Sequence, residues 1–346
     1  MCLFGPYSFF HRLRSYGYAP SSRRNLSLKI QHKSLPTYFL PVTNTKIRIS
    51  FEILVNFVPA MKAKLTFLGT GTSQGVPMIG CGCPVCRSAD ERDKRLRASA
   101  LVEYGGLAIL VDCGPDFRTQ MLRAGVRHLD AILLTHNHKD HTGGIDDTRS
   151  FNLLEERPMN IYCEEYVLGS LRKEYSYAFA VPRYPGSPEW NVHVIDGRHP
   201  FLVHSNAGED RLVWESGVGY HHVPAGPVEE VPPVEVIPIQ GWHHKEKKLS
   251  VLGYRFGNIA YITDMNNIDE CEFEKLQGLD YVTVNCVKKT PHFSHFSLGE
   301  ALSFFEKVGA RKSYITHISH LLPPYAAFAS ELPSGVYPAY DGLVLE

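Results

Sequence analysis

Long apolar runs are missing from this 346-residue chain. None approaches the ~20 consecutive apolar residues of a membrane-spanning helix, so no membrane partner is expected. Net charge is missing too. Thirty-six Lys and Arg balance 36 Asp and Glu, which leaves no global field to gather nucleic acid or an anionic surface. Cysteine is too uneven for a secreted disulfide framework. Cys81, Cys83 and Cys86 crowd together, while Cys2, Cys113, Cys163, Cys271 and Cys286 are scattered, mostly in apolar surroundings. A reducing compartment, the cytoplasm, is expected. No repeat of solenoid length occurs.

Acids are absent before Glu52, although Arg12, Arg14, Arg23, Arg24, Lys29, Lys33, Lys46 and Arg48 precede it. Residues 1–60 therefore read as an N-terminal extension of a different character. Three readings stay open: a disordered basic tail, a transit peptide that would make the protein organellar, or sequence upstream of a true start at Met61. The remaining residues, 61–346, read as one domain with enough apolar content, 44% of the chain, for a sizeable core.

What is present in excess is histidine, seventeen residues, and it is clustered. Thr135-His136-Asn137-His138-Lys139-Asp140-His141 holds three imidazoles and a carboxylate. It follows an apolar run, Asp130–Leu134, that reads as a buried strand. Neutral imidazole nitrogens and carboxylate oxygens bind divalent transition metals well. His136 and His138, two apart on an extended turn, can reach one ion. The adjacent Asp140–His141 pair can hold a second. Gly143-Gly144 reads as a flexible exit.

Further ligand types stand after short apolar strands. His243-His244 follow Val234–Ile239, Asp264 follows Ile259–Thr263, and His317 follows Ser313–Thr316. The spacing favours His243 over His244. Other strands are expected at Lys64–Leu68, Ala98–Tyr104, Leu107–Asp112, Asn160–Cys163, Leu249–Phe256 and Tyr281–Val284, with hairpin turns at Gly105-Gly106 and Gly257-Asn258. A helix is expected at Asp116–Ala124. Another, at Leu298–Val308, is opened by a Ser297/Glu300 capping box. Residues 181–233 are rich in Pro and Gly and weak in periodicity. They read as an irregular excursion, either a lid or binding loop or a tolerated surface insertion, with small strands at Val192–Ile195 and Arg211–Trp214.

The His-x-His-x-Asp-His motif with later His243, Asp264 and His317 resembles the metallo-β-lactamase superfamily, over Lys64 to the C-terminus. The resemblance implies an α/β fold, a four-layer αβ/βα sandwich with two metals at one edge. It implies that His136, His138 and His243 hold the first metal and that Asp140, His141 and His317 hold the second. Asp264 would bridge them, and Asp112 would support the site without ligating.

The three cysteines need a fourth ligand for a tetrahedral zinc. His320, three residues after His317, is the natural closer of a structural zinc site. Together with Gly69–Pro77 and Thr316–His320, this cluster resembles the phosphoribosyl cyclic phosphate phosphodiesterases of the carbon–phosphorus lyase pathway. That likeness implies a dinuclear hydrolase using zinc or manganese, which cleaves a small cyclic or diester phosphate by a metal-bridging hydroxide. His295 would be general acid or phosphate contact, and Asp140 would double as ligand and proton handler. The alternatives are an RNA-processing nuclease of the same superfamily and a non-catalytic metal-binding scaffold. The excursion carries several acids and few Lys or Arg, so nucleic acid is not the expected partner. The expected partner is a small phosphodiester, and a homodimer is left open.

Overall fold

A computed structural model describes residues 61–346 except 185, 228–230 and 247. The expectations for residues 1–60 lie outside the described residues. The chain divides into two units, Met1–Phe57 and Val58–Glu346, and every element described belongs to the second.

The first half builds β1 (Lys64–Gly69), β2 (Ser99–Tyr104), β3 (Leu107–Val111), α1 (Phe117–Ala124), β4 (Ala131–Leu133), α2 (Lys139–Thr142), α3 (Arg149–Glu155), β5 (Met159–Cys163), α4 (Glu165–Glu174) and β6 (Trp190–Val194). The second half adds β7 (Phe201–Val203), β8 (Arg211–Glu215), β9 (Gly219–Val223), β10 (Val234–Trp242), β11 (Ser250–Phe256), β12 (Ile259–Tyr261), β13 (Asn267–Ile268) and β14 (Tyr281–Asn285). It ends with α5 (Leu298–Val308), β15 (Lys312–Thr316), α6 (Tyr325–Glu331), β16 (Val336–Pro338) and β17 (Val344–Leu345).

Two sheets result, ordered β17-β1-β2-β3-β4-β5-β6 and β13-β10-β11-β12-β14-β15-β16, with β7 also paired to β10. They share a plan. β1, β2 and β3 are antiparallel, and β3 through β6 run parallel. Likewise β10, β11 and β12 are antiparallel, and β12, β14, β15 and β16 run parallel. The parallel strands β4, β5 and β14 are buried along their whole length, as strands covered on both faces must be. The two-residue turn between β2 and β3 places Gly105 and Gly106 at φ 60° and 89°, the left-handed geometry that matches strand twist and that Gly adopts without penalty.

Three apolar clusters define the layers. One lies between the sheets and joins Leu65, Phe67, Val102, Ile109 and Leu133 to Leu252, Tyr254, Phe256, Tyr261 and Tyr314. A second packs α1, α3 and α4, through Phe117, Met121, Phe151, Val167, Leu168 and Leu171, on the outer face of the first sheet. The third packs α5 and α6, through Ala301, Phe304, Phe305, Val308 and Phe328, on the outer face of the second. The order helix, sheet, sheet, helix is the four-layer αβ/βα sandwich. α5 begins with both halves of the capping box, Ser297 and Glu300, and ends at Gly309 with φ 65°.

The stretch 181–233 is more regular than its composition suggests. Trp190–Val194 is the parallel edge strand beside β5. Phe201–Val203 pairs with Val234–Val236, and β8 and β9 form a separate hairpin. Among the described residues no helix is long and apolar enough to cross a membrane.

Phe67 is fully buried between the sheets, with ring centroids 6.2 Å from both Tyr261 and Tyr314. Phe67→Ala should cost about 3–5 kcal/mol in denaturant unfolding. A loss under about 1 kcal/mol would contradict this central core.

Candidate metal centres

The histidines and aspartates of the first centre, His295 apart, leave the carboxyl end of a strand or the loop beyond it. Asp112 follows β3, the 135–141 motif follows β4, His243 follows β10, Asp264 follows β12 and His317 follows β15. Because β10 and β12 are each antiparallel to β11, they run in the same direction as β14 and β15. The strand ends therefore converge at one edge of the sandwich, where open α/β sheets bind ligands.

Convergence imposes strain. Asp112, Asp264 and His317 sit at φ 63°, 58° and 54°, a left-handed conformation that costs a non-glycine residue of order 1 kcal/mol or more. Glycines let the loops touch. A Cβ on Gly114 would lie 2.0 Å from the Asp140 carbonyl oxygen, and one on Gly144 would lie 2.0 Å from that of Gly114. Gly144 is thus a close-approach residue, and the Gly143-Gly144 pair is not simply a flexible exit.

Hydrogen bonds fix the imidazole tautomers. The Thr135 hydroxyl donates to Asp112 Oδ2 at 2.9 Å, so it can only accept from His136 Nδ1, 2.9 Å away. His141 Nδ1 donates to the same Asp112 oxygen at 2.6 Å. His243 Nδ1 donates to the Asp264 carbonyl at 2.9 Å. In His136 and His243 this leaves Nε2 with its lone pair available, the arrangement that orients ligating histidines. In His141 it points Nε2 at the Asp264 and Asp140 carboxylates, where a cation can replace the ring proton. His136 Nε2 is buried without a hydrogen-bond partner, while His141 Nε2 faces only the carboxylate oxygens of Asp264 and Asp140. Orphaned buried lone pairs are costly unless a cation satisfies them.

The residues fall into two sets. Asp140, His141, Asp264 and His317 bring ligand atoms within 4.8 Å of one another. His141 Nε2 meets Asp264 Oδ2 and lies 3.2 Å from Asp140 Oδ2, while His317 Nε2 is 2.9 Å from Asp264 Oδ1. The other set has His138 between His136 and His243, with ring centroids 4.6 and 4.7 Å away. His243 also groups with Asp264 and His295 within 4.8 Å, so His295 stands among the ligand-type donors and not apart from them. His244 turns away and stacks on Phe293.

The electrostatics demand positive charge here. Burial opposes the ionisation of Asp264, but the His317 and His141 imidazoles outweigh it and hold the carboxyl well below its usual range. Burial likewise pushes His141 down, yet Asp264, Asp140 and Asp112 together raise it well above normal. Burial lowers His136, His138 and His243, which keeps them neutral. Neutral rings and ionised carboxylates are the forms that bind divalent metal.

A second cluster lies on the same turn. Cys81, Cys83, Cys86 and His320 place their ligand atoms within 4.8 Å, with His320 Nδ1 at 3.3 and 3.5 Å from the Cys81 and Cys83 sulfurs. All three thiols are free. The Cys86 amide donates to Cys83 Sγ and, with His320, lowers that thiol to about 6. Burial lifts Cys86 to about 11. Ile318, bridged to Gly71, separates the turn's two ends, so His317 joins the first centre and His320 the second.

Neutral polar residues complete the frame and carry no signature in the sequence. Asn285, at the end of β14, exchanges two hydrogen bonds with the Met265 backbone beside Asp264. Asn266 donates to the carbonyls of His292 and His295. Thr135 was readable only as the residue before the motif.

The fold and these centres define a class. Residues 108–318 match the family model of the beta-lactamase superfamily domain, and the chain belongs to that superfamily, as a hydrolase of the metallo-β-lactamase fold. Among solved structures, a diphosphatase from the PhnP family is 34% identical, with 82% of this chain and 98% of that one aligned at a TM-score of 0.67. An octanoyltransferase of Porphyromonas gingivalis is 36% identical over 278 residues, 80% of this chain but 50% of that protein, so the chain spans about half its length. A ribonuclease Z of Bradyrhizobium diazoefficiens is 47% identical over 83 residues, 23% of this chain and 22% of that one.

Asp112→Asn removes the carboxylate that orients His141 and should weaken active-site metal binding by about 10–100-fold, read by chelator competition. Unchanged affinity would show that Asp112 does not tune the site. Cys83→Ser should lower the melting temperature of the protein as isolated. Melting unchanged by that substitution would remove the structural-zinc assignment.

Proposed function

We propose that this hydrolase is a dinuclear metal-dependent phosphodiesterase acting on a small cyclic or diester phosphate. The observation that carries this reading is Asp264, whose buried carboxylate and carbonyl touch both ligand sets. His136, His138 and His243 would hold one divalent cation and Asp140, His141 and His317 the other, with Asp264 shared. Zinc and manganese both suit these donors. Such a pair supplies an acidified water and neutralises charge on phosphoryl oxygens. Cys81, Cys83, Cys86 and His320 would hold a structural zinc, whose binding free energy becomes folding free energy. Free thiols in this cluster suit a reducing location such as the cytoplasm.

The chain's own groups supply the rest. Asp112 and Thr135 hold the rings of His141 and His136 in one tautomer. His295 has Nδ1 3.2 Å from Asp264 Oδ1, and burial, ahead of the opposing pull of Asp264, drives its pKa down to about 2. A neutral His295 is suited to donate a hydrogen bond to a phosphoryl oxygen, and a leaving alkoxide still needs a proton source within such reach. Asp140 lies 3.2 Å from His141 Nε2. Burial opposes its ionisation, but that ring outweighs burial and holds the carboxyl below its usual range. It would therefore act first as an ionised ligand and handle a proton only in exchange with the water or ring beside it. The 34% identity to a PhnP-family diphosphatase across nearly all of that structure supports phosphate chemistry. The RNA-processing alternative rests on a shorter match, and residues 181–233 offer little basic surface for RNA.

With manganese or zinc loaded, the protein should hydrolyse bis(p-nitrophenyl) phosphate, and His138→Ala and Asp264→Asn should each lower kcat by about 10²–10³-fold, the scale of losing preorganised charge stabilisation, with circular dichroism unaltered. Variants that retain near-normal turnover would refute the assignment of the ligand sets.

A further inference from the structure

Phe293 is the feature beside this site that the metal chemistry leaves unused. Its side chain is 73% exposed. Single exposed aromatics are ordinary; what distinguishes this one is its neighbours. The Phe293 ring lies nearly parallel to that of His244, 17° between planes at 5.8 Å, and 4.6 Å from His292. His292 in turn stacks on His295, 21° at 5.2 Å, and His244 sits 5.0 Å from His243. Both rings behind Phe293 therefore back directly onto residues of the metal centre. The series of rings runs from the Asp264 carboxylate, 3.2 Å from His295, out to solvent.

The platform is held, not loose. Asn266 pins the carbonyls of His292 and His295 at 3.0 and 2.7 Å, and the Ser294 amide donates to His292 Nδ1. Lys245, next to His244, donates to Glu300 of the α5 capping box, which ties the His244 loop to the helix beyond Phe293. A largely exposed aromatic ring, backed by two imidazoles and leading to a phosphate-binding centre, has the parts that bind a base and its phosphate together.

We propose that Phe293, backed by His244 and His292, is a stacking platform for a nucleobase, and that the ester cleaved at the metal centre is borne by a mononucleoside. The platform rests on the phosphodiesterase reading only for where the phosphate sits, and the mononucleoside ester rests on it for the cleavage as well.

Two measurements on the metal-loaded full chain separate the two ideas. In calorimetry, AMP should bind about tenfold tighter than ribose 5-phosphate, the scale of one base stacked on one ring. Phe293→Ala should erase that preference and Phe293→Tyr retain it. Equal binding of the two ligands by the wild type, or a preference that survives Phe293→Ala, would overturn the platform. A short oligoribonucleotide that binds more tightly than AMP and weakens with salt would overturn the mononucleoside assignment. In kinetics, the methyl diesters of adenosine 5′-phosphate and of the base-free riboside 5-phosphate should differ in kcat/KM, with the ratio collapsing in Phe293→Ala. AMP preference without turnover of either ester would sustain the platform and sink the phosphodiesterase reading. Turnover of both esters at equal kcat/KM would do the reverse.

Discussion

The Asp264 carboxylate, buried and left-handed at φ 58°, is the constraint around which the rest of this structure is arranged. A lone carboxylate moved into a protein interior would simply protonate. Here it stays ionised because His141 and His317 face its two oxygens. Its own carbonyl meanwhile holds His243 in place. One residue thus sets the geometry of both ligand groups, with side chain and backbone acting in different directions. Removing it leaves His141 and His317 without their counterpart and His243 without its anchor.

The two-sheet architecture makes such an arrangement reachable. Each sheet contributes strands that end at the same edge, with His243 and His317 on the first residue beyond their strands and Asp140 and His141 on the short helix α2 after β4. The cost is backbone strain at Asp112, Asp264 and His317. It persists because dense hydrogen bonding leaves these residues no alternative. Glu156, the remaining non-glycine residue at positive φ among those described, caps α3 and shows the same geometry serving an ordinary helix end. The thiol cluster extends the logic. The Thr316–His320 turn is shared, so a metal at the cysteines would brace the loop carrying His317.

Much of this was legible in the sequence, for physical reasons. Metal-type donors packed as densely as 135–141 have few other uses, and apolar strands that end in His or Asp advertise a sheet edge. The spacing after β10 singles out His243, and the structure places that ring inward and His244 outward. Edge strands were less legible. β6 and β7 owe their form to partners far along the chain, such as Val203 opposite Val234, and their own pattern is weak. α4 carries Val167, Leu168 and Leu171 at helical spacing, but it lacks a side-chain cap to announce its start. The roles of Thr135, Asn266 and Asn285 could not be read, because a neutral hydrogen-bonding side chain acquires its meaning only from the groups it meets.

Anomalous diffraction from crystals of the protein as isolated tests the central claim most directly. The account predicts a pair of metal peaks flanking Asp264 and a separate third peak among Cys81, Cys83, Cys86 and His320. Clean density with ordered water, or no peak, between Asp140, His141, Asp264 and His317 in crystals soaked with zinc and with manganese would contradict it.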